Sequence, residues 1–71
     1  MIKAAIRLYL KSYGYHLRVM REATGLRQKE VAKKLYCSQA IISHIESGKY
    51  LPSPDFEQRL VDFYEYMKED L

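Results

Sequence analysis

A stripe of small and polar residues between positions 39 and 47 carries the hydrogen-bonding groups with the clearest chemistry. If this segment is helical, one side of it holds Gln39, Ala40, Ser43, His44 and Ser47. An amide such as that of Gln39 can bond to N6 and N7 of adenine, and Ala40 can touch a thymine methyl group. His44 can donate to guanine or to a phosphate. The alternative reading is an ordinary solvated surface.

Charge is distributed unevenly along the chain and suggests a polyanion as partner. Residues 1–49 hold ten Lys or Arg against three acids, a net charge of +7, whereas residues 50–71 hold two against six, a net charge of −4. A basic body of this kind attracts a polyanion such as nucleic acid. The alternative is a solvated surface that is merely uneven.

Several side chains beside the stripe suit backbone phosphates. Gln28 opens a predicted helix, where its amide and the free N–H groups of the helix end can meet a phosphate. The same face is flanked by Arg27, Lys29, Lys49 and Tyr50. We expect these five residues to contact phosphates and Lys33 to be solvated.

Catalysis and metal binding find little support. There is no Gly-rich phosphate loop, and Cys37 with His16 and His44 lacks the spacing of metal ligands. We therefore expect no enzyme activity, no cofactor and no metal. Cys37 is alone and has no partner for a disulfide within the chain. The N-terminal residues do not read as a signal peptide, and no apolar run approaches the roughly 20 residues of a membrane span. These observations favour a reduced, cytoplasmic setting.

Helix formers dominate the elements that must position these groups. We predict helices from about 13 to 23, 28 to 35 and 39 to 47, and a fourth that Ser53 caps with Pro54 at its first position. Residues 1–12 fit either a helix or a strand, with helix favoured by their Ala, Leu, Arg and Lys content. The predicted division is an N-terminal extension, residues 1–12, and a domain, residues 13–71.

Only Tyr36, Cys37 and Ser38 separate the second predicted helix from the third. Two helices joined by so short a turn cross at a large angle around a small apolar corner, here Val31, Ala32, Leu35, Cys37, Ile42 and Ile45. The start of the second helix of the pair then points outward, as in a helix-turn-helix that enters a DNA major groove.

Residues 14–64 resemble the lambda repressor/Cro-like (XRE-type) helix-turn-helix domains. The matching segments are "LRVMREATGLRQKEVAKKL", "CSQAIISHIESGK" and "LPSP". The resemblance implies an all-α fold of four to five short helices, a phosphate contact for Gln28, and an ion pair between Arg21 and Glu46 that joins the first helix to the third. The chain departs from the family pattern at Tyr36, where Gly is usual, at Arg27, where Ser or Thr is usual, and at Ile41, where a polar residue is usual.

The resemblance also implies a function. Members of this family are DNA-binding regulators and often dimers, so we expect a homodimeric repressor of an inverted-repeat operator in double-stranded DNA. One alternative is an antitoxin-type module that also binds a partner protein, and another is an interaction module that no longer binds DNA. For the dimer surface we favour the N-terminal extension over the fourth helix, where Phe63, Tyr64, Tyr66 and Met67 are the rival apolar residues.

Overall fold

Four α-helices make up the computed structural model, which describes residues 2–69 and the side chains of residues 3–68. They are α1 (Ile2–Ala23), α2 (Gln28–Lys34), α3 (Gln39–Glu46) and α4 (Pro54–Glu69). No strand occurs among the described residues, so the predicted all-α class is confirmed. None of the described helices is long and apolar enough to cross a membrane.

The first helix is much longer than predicted. It begins at Ile2 rather than near residue 13, and it crosses position 12 without a break. Residues 2–12 are helical, so the favoured one of the two predictions for this segment is confirmed and the strand is wrong. The division into an extension and a domain stays a prediction, since a continuous helix marks no boundary at residue 12. We keep the name N-terminal extension for residues 2–12.

The turn between α2 and α3 is closed by local hydrogen bonds. The Cys37 N–H donates to the Ala32 carbonyl at 2.9 Å, and the Ile41 N–H donates to the Ser38 hydroxyl at 3.4 Å. Tyr36 lies at φ 57°, so it keeps the left-handed conformation for which the family uses Gly. A non-glycine residue in this conformation carries backbone strain of about 1 kcal/mol.

The core lies where α2 and α3 meet α1 and α4. Its buried residues are Leu17, Val31, Ala32, Leu35, Ile42, Ile45, Leu60 and Tyr64. Five of the six predicted corner residues are among them, but Cys37 is only half-buried because it sits at the rim of the turn. Burial also raises the pKa of its thiol, which lowers its reactivity.

A glycine in the middle of α1 sets the distance between α1 and α3. A Cβ on Gly14 would lie 2.4 Å from the Ile45 carbonyl oxygen and 2.6 Å from that of Glu46. No side chain fits in that space, so the two backbones touch. Glycine weakens a helix interior by about 1 kcal/mol. Here that cost accompanies the close crossing, which only a residue without a side chain permits.

The fourth helix begins as predicted and is tied to the rest by polar contacts. The Phe56 N–H donates to the Ser53 hydroxyl at 3.2 Å, with Pro54 at the first helical position. The Arg59 guanidinium donates to the Leu35 carbonyl oxygen at 2.7 Å at the end of α2. The Tyr13 hydroxyl donates to the Glu57 carboxylate, and burial together with this contact raises the pKa of Tyr13. Arg59 thus fixes α4 against the helix-turn-helix.

Candidate nucleic-acid interface

One carboxylate, that of Glu46 at the end of α3, joins four segments of the chain. Its oxygens accept from Arg21 Nε at 2.7 Å, from a second Arg21 nitrogen at 3.0 Å and from the Gln28 amide at 3.0 Å. The Arg21 guanidinium also donates to the Leu26 carbonyl oxygen at 2.8 Å. We call these groups the Glu46 network. It connects α1, the following loop, α2 and α3.

The Glu46 network is largely shielded from solvent. Only 12% of the Arg21 side chain and 5% of the Glu46 side chain are exposed. The hydrogen bonds to Glu46 raise the pKa of Arg21, which therefore stays charged. A shielded, bidentate pair of this kind resists rotation, since both partners lose hydrogen bonds at once. It fixes the orientation of α3 relative to the scaffold.

The polar stripe faces solvent at both ends and is partly covered in its middle. Gln39, Ala40 and Ser47 are exposed, while Ser43 and His44 are half-buried. The ring of His44 meets the ring of Tyr50 edge-on, with centroids 5.9 Å apart. His44 is thus less free than its spacing suggested, because the loop after α3 folds back onto it.

The residues predicted to contact phosphates are accessible to solvent, with one difference at Gln28. Arg27, Lys29, Lys49 and Tyr50 are exposed, whereas Gln28 is half-buried. One N–H of the Gln28 amide is used by Glu46, so its second N–H and its carbonyl oxygen are left for another partner. Gln28 therefore has a structural role that its position at a helix start did not reveal.

The two other departures from the family pattern have local explanations. The Arg27 side chain makes no cap, but the Arg27 N–H donates to the Glu30 carboxylate at 3.0 Å. Ile41 lies on the side of α3 that faces a shallow cleft, which it lines together with Tyr50 and Leu51. It is 36% exposed and lies beside the polar stripe rather than within it.

Besides the structural role of Gln28, three further contributions to the site were not predicted from the sequence. They are the close crossing at Gly14, the anchoring of α2 by Arg59 and the contact of His44 with Tyr50. The glycine left a signal, since a lone Gly among helix formers needs a packing reason. The other two contacts depend on how a helix or a loop packs against another segment. Arg59 is 24 residues from Leu35, and Tyr50 lies in the loop after α3, so their spacing does not predict these contacts.

The arrangement resembles a nucleic-acid reader more than a catalytic site. The exposed groups on and around α3 are hydrogen-bonding amides, hydroxyls and cations. Among residues 2–69 no three His, Cys, Asp or Glu side chains converge as metal ligands would. Groups of this kind suit base edges and phosphates.

Comparison with known proteins gave one family match. Residues 12–71 match the family model described as a helix-turn-helix domain. No significant match was found among curated proteins or among solved structures. The matched range includes the Glu46 network and the polar stripe, and it covers far more than half of the chain. The chain therefore belongs to the helix-turn-helix domain family.

Proposed function

We propose that this protein is a homodimeric transcriptional repressor that binds an inverted-repeat operator in double-stranded DNA. The observation that carries the proposal is the exposed start of α3, where Gln39 and Ala40 face solvent on a helix held by the Glu46 network. A recognition helix must be held rigidly, because bidentate contacts to bases tolerate little misplacement.

The proposed contacts divide into two groups. Gln39, Ala40, Ser43 and His44 read base edges. The ring of Tyr50 packs against that of His44 and limits its rotation. Arg27, Gln28, Lys29, Lys49 and Tyr50 contact phosphates. The phosphate contacts supply affinity and register, and the base contacts supply specificity.

Exposed apolar residues near the start of α1 support the proposed homodimer. Ile6 and Tyr9, three residues apart on one side of the helix, are 52% and 61% exposed, and Leu8, 69% exposed, lies on another side. The rival surface on α4 is weaker than its sequence indicated. Tyr64 is only 2% exposed and belongs to the core, which leaves Tyr66 as the large exposed apolar residue there.

The test of specificity compares Gln39→Ala with the wild type on operator and scrambled duplexes. The operator is first selected from a random duplex pool. We expect Gln39→Ala to weaken operator binding by about 1–3 kcal/mol and to relax the preference at one base pair, with little effect on scrambled DNA. Arg27→Ala is the comparison variant, because loss of a phosphate contact weakens both duplexes alike. Equal losses on both duplexes for Gln39→Ala would refute base reading by this residue.

The test of the dimer is sedimentation without DNA. A single substitution is preferable to truncation, because Leu10 is half-buried and the backbone at Lys11 lies against Gly48. We expect Ile6→Glu to shift the protein toward monomer and Tyr66→Glu to leave the dimer intact. The reverse pattern would move the interface to α4, and a wild type that is monomeric even on its operator would refute the dimer.

A further inference from the structure

We infer that a row of three cations on the N-terminal extension is a second surface for the DNA backbone, outside the helix-turn-helix. The row consists of Lys3, Arg7 and Lys11, and we call it the basic row. Its members recur every four residues of one continuous helix, so they lie along one face. The inference rests on the proposed DNA-binding function.

The basic row is uncompensated within the described part of the chain. All three side chains are exposed, and α1 contains no acid before Glu22. Between residues 2 and 69, no carboxylate forms an ion pair with any of the three. Arg18 differs, because its guanidinium is 2.7 Å from the Glu22 carboxylate. The basic row therefore presents its full charge to solvent.

A close backbone contact joins the basic row to the proposed phosphate contacts. A Cβ on Gly48 would lie 3.0 Å from both the nitrogen and the Cα of Lys11. The loop that carries Lys49 and Tyr50 thus begins against the turn of α1 that carries Lys11. The Lys11 end of the basic row is therefore close to the backbone of the loop that carries Lys49.

The length of the row suits a polyanion with regularly spaced charges. Four residues advance a helix by about 6 Å, so the basic row covers about 12 Å from Lys3 to Lys11. Phosphates of one DNA strand recur every 3.4 Å or so along the axis, so a row of this length can meet more than one of them. An anionic membrane surface would also attract cations, but it would not account for the position of the row next to the loop of the proposed phosphate contacts Lys49 and Tyr50.

The experiment measures affinity for a random-sequence duplex at several salt concentrations, using the full chain. In the test variant Lys3, Arg7 and Lys11 are all changed to Gln. In the matched control Arg18, Lys33 and Lys68, which lie outside the row, are changed to Gln, so both variants lose the same charge. Circular dichroism verifies that both are folded.

We expect the test variant to flatten the plot of log affinity against log salt by about two to three units, and the control to change it by less than one. Equal slopes for wild type and test variant would overturn the inference, as would equal flattening in both variants. So would a larger loss of binding to anionic phosphatidylserine vesicles than to DNA. A wild type without salt-dependent DNA binding would instead refute the proposed function, and with it this inference.

Discussion

The two ends of α1 have the same secondary structure and opposite surroundings. From Leu10 to Ala23 the helix contacts the core through Tyr13, Leu17 and Met20 and touches α3 at Gly14. From Lys3 to Tyr9 every side chain is exposed, including the large apolar residues Ile6, Leu8 and Tyr9. Both ends contain good helix formers, so propensity does not distinguish them.

The difference shows that a segment can form a helix without packing against the core. The C-terminal part of α1 is fixed by burial and by Arg21, and it positions α3. The N-terminal part continues the helix beyond the core, into solvent, where its residues are available to another molecule. The molecule measures 42 × 22 × 20 Å, an elongated shape for 71 residues that fits such a projection.

The largest expected effect comes from breaking the Glu46 network. Glu46→Ala leaves the shielded guanidinium of Arg21 without its carboxylate, and we expect it to lower the free energy of unfolding by about 3–5 kcal/mol. Urea denaturation measures the change.

The control for this prediction is the exposed ion pair between Arg18 and Glu22, both within α1. Arg18 and Glu22 are as close, at 2.7 Å, but their side chains are 59% and 55% exposed. We expect Arg18→Ala to cost less than about 0.5 kcal/mol. Similar losses in the two variants would show that shielding does not separate the pairs.

The next effect comes from the close crossing of α1 and α3. Gly14→Ala adds a methyl group where backbone oxygens lie 2.4 and 2.6 Å away, so the helices must move apart. We expect a net destabilisation of about 1–3 kcal/mol in urea, in spite of the better helix propensity of Ala. Ser12→Ala, at an exposed position of the same helix, is the control. A stabilised Gly14→Ala variant would mean that the crossing is loose.

The third effect has the opposite sign. Tyr36 has φ 57° and is 93% exposed, so its side chain contributes little packing while its backbone is strained. We expect Tyr36→Gly to raise the free energy of unfolding by about 0.5–1 kcal/mol, because glycine adopts this conformation without a Cβ clash. Tyr36→Ala keeps the Cβ and should give no gain. A destabilised Tyr36→Gly variant would indicate that the ring does contribute to stability.

The smallest effect tests the uncovered end of α1. Leu8 is 69% exposed, and we expect Leu8→Ser to change the unfolding free energy of the monomer by less than about 0.5 kcal/mol, as is usual for surface positions. Leu17→Ser, at a position 5% exposed in the same helix, is the contrasting variant and should cost several times more. Thermal unfolding at low protein concentration separates this effect from any dimer.

Local chemistry made much of the fold predictable. Ser38 and Ser53 each accept from the backbone N–H three residues on, and Gly25 and Gly48 adopt the positive φ of helix ends. The three-residue turn predicted the crossing of α2 and α3, and the apolar spacing predicted Val31, Ile42 and Ile45 in the core. Such features depend on residues a few positions apart, which a sequence displays directly.

The sequence by itself determined the helices, the sharp turn, the apolar corner and the uneven charge, because each depends on side chains and spacings within a few turns. Only the tertiary structure decided that α1 runs unbroken into solvent, that Gly14 allows two backbones to touch, and that Gln28 shares Glu46 with Arg21. Tertiary structure also set Tyr50 against His44 and the loop at Gly48 against Lys11. The physical reason is that these contacts join segments distant along the chain. They depend on how whole helices dock, and no local pattern records that geometry.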